Sequence, residues 1–292
     1  MIDLPYPMNT TRRQFLQSTT GLALGWLGAS ALAAGSDPQK SRPRQIRVGL
    51  QLYAVRGAFT KDVPGTLKAI AAADYEGVEF WGYGGTEKVF RDYSARQLRH
   101  LLDEHGLKCC GMHVQVKALE PDRLAHTIEV NQILGNRYLI VAAAQDRMKS
   151  PETIRQFAGW LGDRSQAARK EKMRVGYHAH PFDFVKFDGR FAWDLLFSQT
   201  SRRVLMQMDV GNCLASHGDP IAMLRKFPGR TPTIHIKDYE DKTLESDYYR
   251  TVFKLCETTA RTRWYIVEMG GPGGNDLDIP RQVRKRLRRL DK

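Results

Sequence analysis

The chain has 292 residues, of which 42% are hydrophobic and 26% are charged, with 25 Gly and 13 Pro. This composition excludes disordered and collagen-like proteins, and the length fits a single α/β barrel of ~250 residues. The net charge of +13 does not require a nucleic-acid partner, because residues 281–292 carry +6 of it and residues 34–280 contain no dense basic stripe. Four Cys are too few for a disulfide framework at this length, so we interpret them as structural residues.

The N-terminal residues 1–33 have the features of an export signal. Paired arginines in residues 10–16 (TTRRQFL) precede an apolar run at 21–32, which is shorter than the ~20 residues of a membrane span. The segment resembles a twin-arginine signal that ends at a small-x-small cleavage site, Ala31-Leu32-Ala33. This resemblance implies export of the folded protein by the twin-arginine translocase, and a periplasmic mature form without a stable membrane span. A general secretory peptide or an uncleaved anchor is the alternative.

Residues 34–46 form a polar, Pro-containing linker, and from residue 47 short apolar runs alternate with segments of helical periodicity. Eight runs have the composition of strands: 47–52, 77–80, 108–113, 138–142, 173–178, 204–209, 232–236 and 263–268. The predicted helices are 62–73, 94–105, 121–134, 151–171, 191–199, 219–226, 246–260 and 278–290.

Strict alternation of strand and helix predicts a parallel sheet with crossover helices. Eight units in residues 47–292 predict a single domain with the α/β fold of a closed (β/α)8 TIM barrel. The alternative is an open doubly wound sheet, which would normally have a Gly-rich phosphate turn after its first strand. Residues 52–56 (LYAVR) contain no such turn.

Acidic residues and histidines end or follow six of the predicted strands: Glu79, His113, His178 with His180, Asp209, His235 and Glu268. The carboxyl ends of barrel strands meet at one mouth, so we expect these side chains to converge. Carboxylates and imidazoles without Cys suit a divalent ion such as Mn, Zn, Co or Fe. Lys237 follows His235 at the spacing that places both on one strand face, so Lys237 is a candidate partner for a substrate oxygen, with Asp238 to hold it.

Six segments in chain order resemble the sugar phosphate isomerase/epimerase family, which has the xylose isomerase-like TIM barrel fold. They are 49–56 (GLQLYAVR), 77–80 (GVEF), 176–180 (GYHAH), 208–212 (MDVGN), 235–238 (HIKD) and 266–268 (IVE). The resemblance implies one divalent metal ion, with the ligands His178, Asp209, His235 and Glu268. His178 stands where the ketohexose epimerases have a Glu and matches a branch with a Tyr-His-x-His motif, in which Ala179 replaces the usual Asn. This change argues against a two-base epimerase mechanism more than against metal binding.

The family resemblance implies a metal-dependent isomerase or epimerase that acts through an enediolate. We expect an unphosphorylated sugar or keto-sugar as the small-molecule substrate, because the sequence has no Gly-rich phosphate cradle. Glu268 is the first candidate for the base that removes the α proton, Glu79 and His180 are the others, and Lys237 is expected to neutralise the oxyanion. Further residues near the strand ends are expected to contact substrate: Gln51, Tyr53, Trp81, His113 and Asp183.

Three other functions compete with this interpretation. A metal-dependent lyase or hydrolase of keto-glycosides would share the early steps, and a non-catalytic sugar-binding barrel would explain the missing Glu at position 178. An apurinic-site endonuclease needs metal ligands on nearly every strand, but the first and fourth predicted strands end without His or acid, so no nucleic-acid partner is expected. The sequence does not decide whether the chain forms homo-oligomers.

Overall fold

The computed structural model describes residues 46–292, in which parallel strands alternate with helices. The predicted signal and nearly all of the linker lie outside the described residues. The main strands are β1 (Arg47–Gln51), β2 (Gly77–Tyr83), β3 (Lys108–Val114), β4 (Tyr138–Val141), β5 (Arg174–His178), β6 (Leu205–Gln207), β7 (Thr233–Ile236) and β8 (Trp264–Val267). The helices are α1 (Arg56–Lys61), α2 (Val63–Ala72), α3 (Ala95–Glu104), α4 (Pro121–Leu134), α5 (Pro151–Arg169), α6 (Ala192–Gln199), α7 (Val210–Ala215), α8 (Pro220–Lys226), α9 (Asp247–Thr258) and α10 (Asp278–Arg289). In this part of the chain no helix is both long and apolar enough to cross a bilayer.

The eight strands form one parallel sheet in the order β6-β5-β4-β3-β2-β1-β8-β7. Its two ends meet where the Met206 N–H donates to the Arg230 carbonyl (2.8 Å) and the His235 N–H donates to the Met208 carbonyl (2.9 Å). Asp209 and His235 form a parallel bridge at the same seam. The sheet is therefore a nearly closed barrel, which confirms the predicted TIM barrel and excludes the open sheet.

Every predicted strand and helix is present, with ends that differ from the prediction by at most three residues. The sequence analysis missed α1 and α7, and it also missed two short hairpins at residues 88–94 and 186–191. Helices of six residues are too short to show a helical period. α7 begins directly after β6 because the Asp209 carboxylate accepts a hydrogen bond from the Asn212 N–H and caps the helix.

Two apolar regions hold the barrel together. The larger one lies between the sheet and the surrounding helices, and a smaller cluster of Cys110, Trp264 and Ile266 lies apart from it. Gly77 makes room for this smaller cluster, since a Cβ there would lie 3.0 Å from the Trp264 ring. Alternation along β8 places Trp264, Ile266 and Glu268 on one face, so the cluster fills the barrel interior below the carboxyl ends of the strands.

The basic C-terminal helix α10 packs against the barrel through Val283 and Leu287, which are buried as the predicted helical spacing requires. Arg284 and Arg288 form ion pairs with Asp74 across the interface. The charge of this helix is therefore partly neutralised by its own fold, as expected for a packed helix with a solvated face.

Candidate metal centre

The carboxyl ends of β5 to β8 bring the four predicted metal ligands together: His178, Asp209, His235 and Glu268. One candidate ligand atom from each lies within 4.8 Å of the others. His235 Nδ1 is 3.2 Å from Glu268 Oε2 and 3.8 Å from Asp209 Oδ2. Ligands that each lie ~2.0–2.2 Å from one ion have similar separations, so this cluster could hold a divalent metal.

A buried network fixes how His178 faces the cluster. Gln207 Nε2 donates to Glu79 Oε1 (2.8 Å), and because a carboxylate can only accept, the amide oxygen of Gln207 points the other way. This oxygen lies 3.0 Å from His178 Nδ1 and 2.7 Å from His113 Nε2, so both ring nitrogens act as donors. Burial lowers the pKa of His178 well below its ordinary value, so the ring is neutral and its Nε2 has a free lone pair.

Glu79 orients the second histidine of the cluster. His235 Nε2 lies 2.6 Å from Glu79 Oε2, which leaves Nδ1 directed at Asp209 and Glu268. A ligand histidine whose second nitrogen donates to a carboxylate is a common arrangement in metal sites. Burial opposes the charged ring, but Glu79 and Glu268 outweigh it and raise the pKa of His235 to about 10. A metal ion would therefore displace a proton from Nδ1.

Lys237 lies beside the two carboxylates of the cluster. Its Nζ is 2.9 Å from Asp209 Oδ2 and 3.3 Å from Glu268 Oε2. Burial alone would lower the pKa of Lys237, but these two carboxylates raise it above its ordinary value, so the ammonium keeps its charge. Gly211 is required for this placement, because a Cβ there would lie 2.4 Å from Lys237 Cγ.

Asp238 does not hold Lys237, contrary to the sequence-based expectation. Its carboxylate accepts hydrogen bonds from Arg286 (2.6 Å) and from the Leu244 N–H (2.8 Å). Neighbouring residues on an extended segment point in opposite directions, so Asp238 faces helix α10 while Lys237 faces the mouth.

A cleft of about 330 Å³ opens above the cluster. It is lined by Tyr53, Ala54, Arg56, His178, His180, Pro181, Asn212, Lys237, Glu268 and Gly270. Three of the four predicted catalytic residues, namely His180, Lys237 and Glu268, therefore border one cavity. Burial lowers the pKa of His180 to about 4, and its Nδ1 has no hydrogen-bond partner among residues 46–292.

Of the two aromatic residues predicted to contact substrate, Tyr53 lines the cleft and Trp81 packs against Tyr53. Tyr53 is 46% exposed, and its ring meets that of Trp81 edge to face at 5.9 Å. The Arg56 guanidinium lies 4.5 Å from the centre of the Tyr53 ring. The Tyr53 ring and the Arg56 cation thus border the cleft, with Trp81 packed behind Tyr53, and a sugar ring could pack against Tyr53.

Three other predicted residues are buried beside the cluster and do not line the cleft. Glu79 and Gln51 are fully buried and hydrogen-bonded to each other (2.8 Å), and His113 is 5% exposed and directed at Gln207. None of the three lines the cleft, so the catalytic role predicted for Glu79 and the substrate contacts predicted for Gln51 and His113 stay predictions. The strand ends do converge as expected, but their polar side chains also fill the barrel interior beneath the mouth, which the sequence alone does not separate from the rim.

Asp183, predicted to bind substrate, is also fully buried. Its carboxyl group accepts hydrogen bonds from the Tyr177 hydroxyl (2.8 Å) and the His180 N–H (2.7 Å). Asp183 therefore fixes the loop that carries His180 and does not reach the cleft.

Burial raises the pKa of Asp183 to about 8, and this predicts a pH-dependent contribution to stability. Because the folded state holds the proton more tightly, the contribution is complete below pH ~4 and is lost as the pH rises through about 8. We expect the unfolding free energy of the wild type, relative to Asp183→Asn, to fall by up to ~1.4 kcal/mol per pH unit between pH 5 and 8. The asparagine amide oxygen can still accept a hydrogen bond from the His180 N–H, and its NH2 group can donate to the Tyr177 oxygen if the hydroxyl turns away.

Denaturant unfolding at pH 5, 6, 7 and 8 measures this difference. Asp188→Asn, at an exposed hairpin position, is the matched control and should run parallel to the wild type. Parallel curves for Asp183→Asn as well would show that the buried carboxyl does not titrate in this range.

Sequence reasoning missed Gln207 and did not assign a role to Arg56. Gln207 lies two residues before Asp209, so strand alternation could have placed it on the same interior face. Arg56 stands in the segment 49–56 that carries the family resemblance, but it follows the predicted strand, and only the cleft geometry shows its position at the rim.

The structure is a parallel (β/α)8 barrel with a cluster of two imidazoles and two carboxylates at the carboxyl ends of its strands. The chain belongs to the xylose isomerase-like TIM barrel family, whose model matches residues 67–291. No curated protein matches the sequence at a significant level.

Solved structures agree with this assignment of the fold. A sugar phosphate isomerase/epimerase from Parabacteroides distasonis superposes with a TM-score of 0.72 at 18% identity, over 86% of this chain and 96% of that chain. A second structure of the same description and organism has a TM-score of 0.70 at 20% identity, over 83% and 98% of the two chains. The 3-keto-D-glucoside 4-epimerase of E. coli has a TM-score of 0.56 at 13% identity, over 85% and 99%. At these identities the likeness establishes the fold.

Proposed function

We propose that this protein is a divalent-metal-dependent isomerase or epimerase that acts on an unphosphorylated sugar or keto-sugar through an enediolate. The observation that carries the proposal is the cluster of His178, Asp209, His235 and Glu268 below an open cleft. The family and the sugar isomerases and epimerases among its structural neighbours support a sugar substrate.

The donor set of the cluster fits a bound divalent ion. Asp209 Oδ2 is buried and paired with Lys237 Nζ at 2.9 Å, and it also lies 3.8 Å from His235 Nδ1, so it faces the point where the other ligand atoms meet. His178 and His235 direct unprotonated or displaceable nitrogens to the same point. Imidazole and carboxylate ligands suit Mn, Zn, Co or Fe. When bound, the ion would supply Lewis-acid stabilisation of negative charge on the substrate oxygens.

The residues of the cleft would remove the proton, stabilise the oxyanion and bind the substrate hydroxyls. We assign Glu268 to removal of the proton from the carbon next to the carbonyl, because its carboxylate borders the cleft. The Lys237 ammonium, held by Asp209, would stabilise the oxyanion that forms. His180 is neutral and has an unpartnered Nδ1, so it would exchange a hydrogen bond with a substrate hydroxyl. Glu79 would act as a positioning residue for His235.

A lyase or hydrolase of keto-glycosides is the second candidate. His178 stands where a second carboxylate would bind the metal, and among residues 46–292 Glu268 is the one carboxylate that lines the cleft. A single base is sufficient when a β substituent leaves after proton removal, whereas inversion at carbon requires a second proton donor on the opposite face.

Incubation of the metal-reloaded protein with keto-sugars and 3-keto-glycosides in deuterated water would test these functions. Deuterium beside the carbonyl in an isomerised or epimerised product would support the first proposal. Release of an aglycone would favour the lyase or hydrolase. Ligand binding without exchange in any compound would contradict both and favour a non-catalytic sugar-binding barrel.

We expect Gln207→Leu to weaken metal binding by roughly 10- to 100-fold, because the variant removes the amide that orients His178 and contacts Glu79. Competition with a chelator of known affinity measures the change. Gln199→Leu, on the exposed end of α6, is the control. Equal affinity in all three proteins, with unchanged folding, would show that the network does not act on the metal site.

We further propose that residues 1–33 direct export through the twin-arginine translocase to the periplasm. Cell fractionation of the wild type and of a variant with Arg12→Lys and Arg13→Lys tests this. Retention of the paired-lysine variant in the cytoplasm is the expected result, and equal export of both proteins would contradict it.

A further inference from the structure

The end of the barrel opposite the cleft has a ring of basic side chains. Basic residues that are not buried begin six of the eight barrel strands or precede them by no more than three positions, among them Arg47, Lys108, Arg137, Arg174, Arg202, Arg203 and Arg263. They are dispersed along the sequence, so no basic stripe is visible there. Parallel strands place all their amino ends on one face, and the fold therefore gathers these charges. We call these seven residues the basic ring.

Part of the basic ring encloses a cavity of about 400 Å³. Arg47, Lys108, Arg137 and Arg263 line it, and the Arg47 guanidinium lies 5.4 Å from the centre of the Trp264 ring. Two further clefts lie beside other members of the ring and include additional basic residues: Arg169, Lys172 and Arg261. Positive charge therefore continues around this end of the barrel instead of forming one isolated contact.

The charge of the basic ring is not neutralised by the described part of the fold. Among residues 46–292, no carboxylate lies within 4.0 Å of a charged nitrogen of any ring member. Glu76, which precedes β2 at the same end, accepts a hydrogen bond from the Val48 N–H. Three arginines of α10 differ, since Arg284, Arg286 and Arg288 have acidic partners.

We propose that the basic ring binds the anionic surface of a phospholipid bilayer. Guanidinium groups suit phosphate oxygens, and clustered Lys and Arg side chains attract anionic headgroups. Two aromatic residues, Tyr138 and Trp264, line the cavity within the ring, but Trp264 is 6% exposed and lies beneath the Arg47 guanidinium. The exposed large hydrophobic residues of the described chain, Tyr53 and Val185, do not line the clefts at this end, so the ring offers little open aromatic surface on which nucleic-acid bases could stack. Docking by this face would leave the cleft at the opposite end open to solvent, and it does not depend on the proposed reaction.

Co-sedimentation of the 292-residue chain with vesicles tests the proposal. Vesicles of 30% phosphatidylglycerol and 70% phosphatidylcholine are compared with pure phosphatidylcholine. The ring variant carries Lys108→Gln, Arg137→Gln and Arg263→Gln. The control variant removes the same charge from exposed positions on helices, with Arg96→Gln, Lys254→Gln and Lys285→Gln. Both variants keep the apolar segment 21–32, so its contribution cancels.

We expect the ring variant to lose about a hundredfold in affinity for the anionic vesicles and the control variant less than tenfold. Raising the salt from 50 to 500 mM should release the wild type. The three ring positions are exposed and their side chains make no hydrogen bonds within the described residues, so thermal unfolding should be unchanged.

Equal losses in the two variants would show that net charge acts without regard to position and would overturn the proposal. Equal binding of the wild type to both vesicle types would overturn it without any variant. Tighter binding to a DNA duplex than to the vesicles, lost in the ring variant, would reassign the face to nucleic acid.

Discussion

Asp209→Asn is expected to abolish stoichiometric metal binding and to lower activity by roughly 10³-fold or more, since a catalytic metal contributes several kcal/mol to transition-state stabilisation. Asparagine keeps the side-chain volume and the oxygen that caps α7 at the Asn212 N–H (2.7 Å). The variant therefore removes the charge and the oxygen directed at His235 and Lys237 with little change in local structure. Elemental analysis of the folded protein, with about one equivalent per chain expected in the wild type, is the measurement.

Asp219→Asn provides the matched control for this variant, because Asp219 is exposed and caps α8 in the same manner. It should keep the metal and the activity. His235→Ala should lose the metal as Asp209→Asn does. A wild-type protein without metal after reloading with Mn, Zn, Co and Fe would contradict the proposed mechanism and favour the sugar-binding barrel.

The fold was predictable from the sequence because each strand and helix has its own signal. Apolar runs of strand length alternate with helical periods from residue 47 to the C-terminus, and these signals are local. The elements that the sequence analysis did not predict are helices of one or two turns such as α7. The position of α7 depends on the Asp209 cap and on packing against the loop after β7. Short elements of this kind have no periodicity of their own.

The metal cluster was predictable for a different reason. The family resemblance supplied the ligand positions, and the barrel topology implied that strand ends meet. Depth within the barrel was not predictable, because alternation tells which face a residue occupies but not how far below the mouth it lies. Glu79 and Gln51 therefore could not be distinguished from rim residues, and Gln207 could not be recognised as the group that orients His178.

The basic ring could not be predicted from the sequence, because its residues come together only in the folded barrel. Its members are separated by up to 61 residues from one neighbour to the next along the chain, and each looks like an ordinary surface charge. Parallel topology brings them together at one end, in the same way that it brings the acids and histidines together at the other. The barrel therefore has basic side chains at one end and carboxylates with histidines at the other. Composition and net charge do not reveal this separation.

Lys237→Met is expected to lower kcat by roughly 10²- to 10³-fold while the metal content is retained. The ammonium lies beside Asp209 and Glu268 and borders the cleft, so it is placed to stabilise an oxyanion on a bound substrate. Methionine preserves most of the aliphatic stem that packs along Gly211. Because the variant also removes a cation next to two metal-binding carboxylates, its metal affinity should be equal to that of the wild type or higher.

This combination of effects separates a catalytic lysine from a structural one. A lysine that merely neutralises the carboxylates in the metal-free protein would leave kcat unchanged after reloading, and its loss would appear as lower stability of the metal-free form. Lys242→Met, on the loop after β7 and paired with Asp241, is the control and should leave kcat, deuterium exchange and metal affinity unchanged. Wild-type exchange rates in reloaded Lys237→Met would contradict the assignment of the oxyanion to Lys237, because no other lysine lines the cleft among residues 46–292.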